Sequence, residues 1–457
     1  MSDRAPGAGG KAGATGALAA TILGSMVAQL DGSVINVALP AMGRALDADA
    51  GGVQWIVNGY MLPFSALVLL GGALADLFGR RRIFLAGLVV FTAASLACIF
   101  APSLGWLIAA RVVQGLGAAL LVPASLAILG ADFDSAARAR AIGTWAAAGA
   151  AGGAIGPVLG GWLVDRIGWR AVFAVIVPVS SAAFALAWRY VEKGESDNAQ
   201  TPDWWGATLA TAALGLLVWG LVALTQHREM EGGITVAIGF ATAIGFLWLE
   251  AKRGDAAMVP LALFGTSTFT GVTILTFLLY AALSGALLLL PYLLIARGWH
   301  AAVAGSAMLP LPLLMGAGSR AAGGLAERIG ARPMLVVGPV ITGAGFAWFA
   351  RIPDGAIDYW RDVLPAMLGV GVGMTIAVAP LTTTVMAAVD KRHSGAASGV
   401  NNAIARIGGM VAVALIGLVL SANGRGVSLP AFHAAALTAA ILAAGAGLAG
   451  GLMVRRA

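Results

Sequence analysis

Charge is what this chain has least of. Asp, Glu, Lys and Arg make up 11% of its 457 residues, against 59% hydrophobic ones, and the mean hydropathy is +0.89. A water-soluble domain needs polar surface to cover its core, and this composition cannot supply it, so the apolar surface must face lipid. Cysteine is almost missing too. Cys98 stands alone inside an apolar run, which excludes an internal disulfide framework and a thiolate metal site. His227, His300, His393 and His433 are too dispersed to hold a metal. There is no Gly-Lys-Ser/Thr phosphate loop to couple ATP directly, and neither a zinc-protease pair nor an acyl-transfer nucleophile setting stands out. The expectation is a protein that is not an enzyme and carries no cofactor. Its formal net charge of +7 comes from basic residues scattered in ones to threes between apolar stretches. Nucleic-acid binding needs them clustered in a stripe, so no such partner is expected. No loop or tail is long enough to form a signalling domain, and no obligate protein partner is expected.

Long apolar runs are what the chain has in plenty. Crossing roughly 30 Å of hydrocarbon takes about 20 helical residues. Fourteen runs qualify, at about 15–40, 52–73, 83–101, 105–129, 139–163, 170–188, 206–225, 234–250, 266–295, 302–322, 333–351, 361–386, 395–421 and 431–454. The first is too long for a signal-peptide core and contains an Asp, so it counts as a spanning helix. With an inward N-terminus, eighteen Lys and Arg fall on the cytoplasmic side and eight outside, leaving Arg111 and Arg406 in the membrane. That bias obeys the positive-inside rule and places both termini in the cytoplasm.

The two halves repeat. GALADLFGRRR from Gly72 is echoed by GGLAERIGARP from Gly323, Gly115-Leu116-Gly117 by Gly371-Val372-Gly373, and Ala141-Ile142-Gly143 by Ala397-Ser398-Gly399. The offset of about 250 residues exceeds what six helices with loops require, and a parallel repeat keeps its orientation only if an even number of helices is inserted. The chain therefore reads as an all-α polytopic membrane protein of 6+2+6 helices. Its parts are a cytoplasmic tail at 1–14, a six-helix bundle at 15–190, a linker with an inserted two-helix hairpin at 191–260, a second bundle at 261–454 and a tail at 455–457.

Asp31 is the one acid well inside a spanning run. An ionised carboxylate is costly there and should face a cavity or a partner. A carboxylate pulled one way by burial and the other by a nearby cation can bind and release a proton as its exposure changes. Arg111 is the natural partner: Asp31 lies ~13 Å below the outer end of helix one, and Arg111 ~9 Å below the same surface in helix four. The Gly72 stretch puts a helix end, a Gly turn and three arginines at the cytoplasmic face. Beyond simple positive-inside charge, Gly72, Asp76, Gly79, Arg80 and Arg81, with Glu327 and Arg328 in the second copy, read as a conformational latch between the halves. GGAIGPVLGG puts Gly152, Gly156, Pro157, Gly160 and Gly161 on helix five, a small-residue face with a bend that lets another helix approach closely. Candidates for the wall of a substrate path are Asn36, Gln54, Trp55, Asn58, Tyr60, Gln114, Trp145 and Tyr280, each equally readable as packing or interface anchoring. Asn401, Asn402 and Arg406 add polarity on the second half, as interhelical hydrogen bonding or as substrate contact.

LDGSVINVALP from Leu30 resembles the first-helix signature of the fourteen-helix drug:proton antiporters of the major facilitator superfamily. GALADLFGRRR resembles the superfamily's loop between helices two and three, and LIAARVVQGLGAA, Leu107 to Ala119, its helix-four motif. GGAIGPVLGG is similar to the antiporter motif of helix five, which marks exporters. The chain departs from the pattern at Ala171 and Ile176, and at Glu327 and Ala331 in the second loop copy. The resemblance implies a major facilitator fold in a prokaryotic cytoplasmic membrane. It implies proton coupling at Arg111 and export of small amphipathic compounds or drugs, driven by the proton gradient. A dedicated exporter of a single metabolite or antibiotic is the alternative, and an uptake permease ranks third. Small-molecule substrate, protons and the lipid bilayer are the expected partners.

Overall fold

The computed structural model describes residues 11–132, 135–192, 203–254, 257–389, 394–419 and 427–454. The expected tails, apart from 11–14, lie outside the described residues, as do Lys193, Lys391, Arg392 and Arg425. The chain is helical throughout and no sheet forms among the described residues. The first half comprises α1 (Lys11–Ala45), α2 (Ala50–Phe78), α3 (Arg80–Ile99), α4 (Leu104–Asp132), α5 (Ser135–Arg166), α6 (Ala171–Ala174) and α7 (Ile176–Tyr190). A hairpin of α8 (Trp204–Thr225) and α9 (Glu229–Arg253) follows. The second half is α10 (Ser267–Ala296), α11 (Ala301–Ser306), α12 (Pro310–Ile329), α13 (Ala331–Phe349), α14 (Leu364–Ala387), α15 (Ser394–Leu415) and α16 (Leu429–Met453).

Some helices begin where a side chain can satisfy a free amide. Asp49 accepts from the Gly52 amide at 2.6 Å to start α2, and Thr266 accepts from the Phe269 amide at 3.2 Å to start α10. Two expected single runs are each broken in two. Pro178 and Pro310 lack the N–H that would bond the carbonyl four residues earlier, and those carbonyls belong to Ala174 and Ser306, the last residues of α6 and α11.

Among the described residues, twelve helices are long and apolar enough to cross a membrane. Of the fourteen expected runs, the two outside that set are those of α13 and α15. Both form helices, but α13 opens on Arg332 and Pro333, and α15 carries Asn401, Asn402 and Arg406, which lower their hydropathy.

The internal repeat is visible in the packing. In α4, Gly115 lies against the Tyr60 carbonyl of α2 and Gly117 against the Phe91 backbone of α3. In α14, Gly371 lies against Leu311 and Leu314 of α12, and Gly373 against Gly338 and Thr342 of α13. The same Gly-x-Gly thus lets the fourth helix of each half nest against the second and third, where any Cβ would collide. The turns repeat as well: Gly79 (φ 92°) separates α2 from α3, and Gly330 (φ 84°) separates α12 from α13, a backbone that favours glycine. Between the halves, α8 packs on both α2 and α15, with Val218 and Val222 against Met410 and Ala414.

Candidate functional site

Asp31 of α1 and Arg111 of α4 meet at 2.6 Å, Nη1 to Oδ2, and both side chains are 0% exposed. With both side chains fully buried, each charge depends on protein partners. Gln114, one turn along α4, closes the network. Its Oε1 accepts from Arg111 Nη1 at 2.7 Å, and its Nε2 donates to Asp31 Oδ1 at 3.1 Å and to Ser95 Oγ of α3 at 2.9 Å. Arg111 Nε donates to the Ile56 carbonyl of α2 at 3.2 Å. Its guanidinium sits 4.4 Å from the Tyr60 ring centre and 5.9 Å from that of Phe173. Tyr60 is pinned in turn by its hydroxyl, which donates to the Ala28 carbonyl at 3.2 Å. The guanidinium is thus fixed on one face by hydrogen bonds and on the other by ring faces. Arg111 Nη2 remains buried without a partner.

A cavity of about 170 Å³ opens beside this network, between the halves. The first half contributes Gln29, Asn36, Tyr60, Phe64 and Arg111, and the second contributes Leu287, Ser284 and Arg406. Arg111 therefore stands between the cavity and Asp31. Arg406 lies over the Phe64 ring at 3.6 Å, and no carboxylate pairs with it among the described residues.

The other sequence candidates scatter. Gln114 belongs to the ion-pair network and not to the cavity wall. Gln54 is buried and donates to the Ala414 carbonyl at 3.0 Å, joining α2 to α15. Trp55 faces a different cavity, of about 380 Å³, beside Trp219 of the hairpin. Asn58 is buried with neither amide atom paired. Trp145 donates to Ser25 Oγ at 2.7 Å, fastening α5 to α1. Tyr280 stands within electrostatic reach of Arg406. Asn401 accepts from Thr276 at 2.7 Å, fastening α15 to α10, while Asn402 is exposed and bonds the Ser398 carbonyl at 3.1 Å.

Helix five presents two close-approach faces. Gly152, Gly156 and Gly160 meet Met26, Ser33 and Val34 of α1, whereas Gly161 meets Ala301 and the Pro157 carbonyl meets Gly305, both of α11. The second face is a contact between halves. It is capped by Asp165, whose carboxylate accepts from the amides of Ala301 at 3.2 Å and Ala302 at 2.9 Å. Toward the opposite end of α5, and on α12, which continues the run of α11, a Cβ on Gly143, Gly153, Gly316 or Gly324 would meet nothing within 4 Å. Helix five is closed against the second half at the end carrying Asp165 and parted from it toward the other end, while α2 and α15 stay in contact there, Gly399 against Leu69.

The loop at Gly79 stays within its own half here. Gly72 lies beside Pro123, Asp76 pairs with Arg80 at 3.6 Å across the turn, and Arg81 bonds the Trp188 carbonyl and covers its ring. Glu327 and Arg328 are exposed.

Sequence reasoning missed Ser95, Ser25 and Asp165. The serines carry no signal in small-residue helices. Asp165 could have been found by the depth matching that joined Asp31 to Arg111, because the end of the fifth run and the start of the tenth fall at one level.

The family model for the Major Facilitator Superfamily matches residues 21–413. The multidrug resistance protein Stp of Mycobacterium tuberculosis is 35% identical over 414 residues, covering 89% of this chain and 75% of that protein. The methylenomycin A resistance protein of Bacillus subtilis is 35% identical over 406 residues, covering 87% of this chain and 86% of that one. Among solved structures, the peptide transporter POT in complex with sulfate aligns with a TM-score of 0.70 at 13% identity, over 94% of this chain and 93% of that one, a likeness of fold.

Proposed function

The chain belongs to the major facilitator superfamily, as an integral membrane carrier of small organic compounds and not an enzyme, and on that footing we propose that it is a proton-coupled antiporter exporting small amphipathic compounds by alternating access. The observation that carries this reading is the fully buried Asp31–Arg111 contact behind the wall of a cavity shared by both halves. Protonating Asp31 removes the charge that holds Arg111 Nη1. The guanidinium keeps its bond to the Ile56 carbonyl and its ring contacts but is free to turn toward the cavity, so the wall that substrate touches changes with the proton. Substrate and proton then alternate, one leaving as the other arrives.

The six-helix halves at 15–190 and 261–454 are the rocking bodies, with 191–260 as linker and inserted hairpin. A 6+2+6 arrangement with fourteen crossings is supported by helices at all fourteen runs and by a Gly-x-Gly repeat that is symmetric once α8 and α9 are set aside. With both termini in the cytoplasm of a prokaryotic cell, the α5–α11 closure lies outside and the parted end faces inward, where an exporter loads.

A second reading is favoured by the relatives' names, which divide between multidrug resistance and single antibiotics such as methylenomycin A. A narrow resistance spectrum in cells expressing the protein would select the dedicated exporter, and a broad one the multidrug pump. The coupling is tested in everted vesicles holding a preformed pH gradient. Adding transported compound should release protons through the wild type, and Asp31→Asn should abolish the release. Undiminished release through correctly folded Asp31→Asn would remove Asp31 from the mechanism.

A further inference from the structure

The inserted hairpin holds a second pair of acids, at its base, where the chain enters and leaves. Asp203 caps α8: its Oδ1 accepts from the Gly206 amide at 2.7 Å and pairs with Arg253 Nη1 of α9 at 2.8 Å. Glu250, one turn before Arg253, accepts from the Val259 amide through Oε2 and is 0% exposed. Each acid has one oxygen left over. Asp203 Oδ2 and Glu250 Oε1 are both buried without a partner. Both also lie against the same point: a Cβ built on Gly206 would be 2.6 Å from the first and 2.7 Å from the second. The two carboxyl groups are within hydrogen-bonding reach of each other.

Two ionised carboxylates cannot rest in that arrangement. Neither leftover oxygen would have a donor, both would be desolvated, and they would repel. Among the described residues the charged groups facing Glu250 are Asp203 and Arg253, and one guanidinium cannot neutralise two acids. Lys252, on the same turn, is directed elsewhere, its Nζ 3.7 Å from the Trp248 ring centre. No third His, Cys, Asp or Glu joins the two acids among the described residues. A single proton resolves both faults. It makes one O–H that donates to the opposing oxygen, and it brings the net charge of Asp203, Glu250 and Arg253 to zero.

We propose that Asp203 and Glu250 form a second proton-binding site, a carboxyl–carboxylate pair sharing one proton, that clasps the base of the hairpin. The clasp joins three pieces of chain: the start of α8, the end of α9 and, through the Val259 amide, the segment leading into the second half. Raising the pH on that side removes the proton and opens the clasp, so the tie between hairpin and linker follows local acidity. This site stands apart from Asp31 and does not depend on the transport reading.

Infrared titration of the full chain in lipid nanodiscs tests it. The wild type should show a protonated-carboxyl stretch that sensitively shifts in heavy water and fades as pH rises. That band should persist in Asp31→Asn and vanish in both Glu250→Gln and Asp203→Asn. In the Asp31→Asn background, which removes the other proton-binding acid, a band that survives either substitution, or no titrating band at all, overturns the shared proton. Should the variants fail to fold, amide exchange in the wild type decides. Corrected for its intrinsic pH dependence, exchange at Val259 and Gly206 should speed up at least tenfold as the proton leaves, and constant protection would overturn the proposal. A folded Glu250→Gln, whose amide can donate to Asp203 and still accept from Val259, should stay protected at every pH.

Discussion

Arg111 answers to five groups at once: Asp31, Gln114, the Ile56 carbonyl and two rings. Removing it leaves an uncompensated buried carboxylate, an error of about 3–5 kcal/mol in a buried pair. Arg111→Ala is therefore expected to lower the thermal unfolding temperature in detergent far more than Asp31→Asn, whose amide can still accept from Arg111. Adding Asp31→Asn to Arg111→Ala should recover much of the loss, because the stranded charge is then gone. Equal and additive losses would show that the two act independently. Arg111→Lys is not a mild change, since an ammonium cannot serve Asp31 and the Ile56 carbonyl while stacking on Tyr60. Arg406 is the converse case, a cation facing the cavity with no carboxylate against it among the described residues. It should repel permanently cationic compounds, so Arg406→Gln is expected to improve their export severalfold relative to uncharged ones in an efflux assay. The Asp31–Arg111 pairing was legible in the sequence because an acid and a base in otherwise apolar helices are rare and their depths could be compared. Gln114 was visible only as a polar residue. That it braces the pair instead of lining the cavity depends on Ser95 across the helix boundary, which no spacing rule reveals.

The fifth helix turns a string of glycines into two different interfaces. Gly152, Gly156 and Gly160 recur every four residues and face α1, while Gly161 falls one position round and faces α11. The motif showed that a close approach occurs but not to which helix, since the second partner comes from the other half of the chain. The α5–α11 contact has to break whenever the halves open at that end, so it should control the balance of states. Gly305→Val collides with the Pro157 carbonyl and should disfavour closure. The Asp165 cap is worth about 1 kcal/mol, so Asp165→Ala should shift the same balance by about fivefold. The readout is maleimide labelling of Ala147→Cys, in a Cys98→Ser background, in everted vesicles. Ala147 is exposed on α5 toward the end opposite Asp165, and its labelling should drop in both variants. Labelling that does not change would show that the contact is incidental to gating.

Across the whole molecule the hairpin is the piece with no counterpart in the repeat. It is not a passive appendage: α8 touches both halves, and Gln226 at its end donates to Asp49, the cap of α2, at 2.9 Å. Its two helices were legible as apolar runs, but the placement of α8 against α2 and α15 was not, because α8 is apolar on every side and favours no face. Whether this hairpin crosses the bilayer decides the topology of everything around it. If α8 and α9 both span, the turn at Gln226–Arg228 lies outside, and the second half keeps the orientation of the first. An alkaline phosphatase fused after His227 should then be active and one fused after Gly254 inactive, while a fluorescent protein at the C-terminus should fluoresce. A silent fusion at His227 with a fluorescent C-terminus would mean that the hairpin lies along the membrane and twelve helices span. In that case the Asp203–Glu250 clasp and the Gln226–Asp49 contact would sit on one side of the bilayer. They lie at opposite ends of α8, a helix of 22 residues, which at 1.5 Å per residue is about 33 Å, the thickness of the hydrocarbon layer. That separation, with one end tied to the cap of α2 and the other to the linker, is why the active fusion at His227 is the expected result.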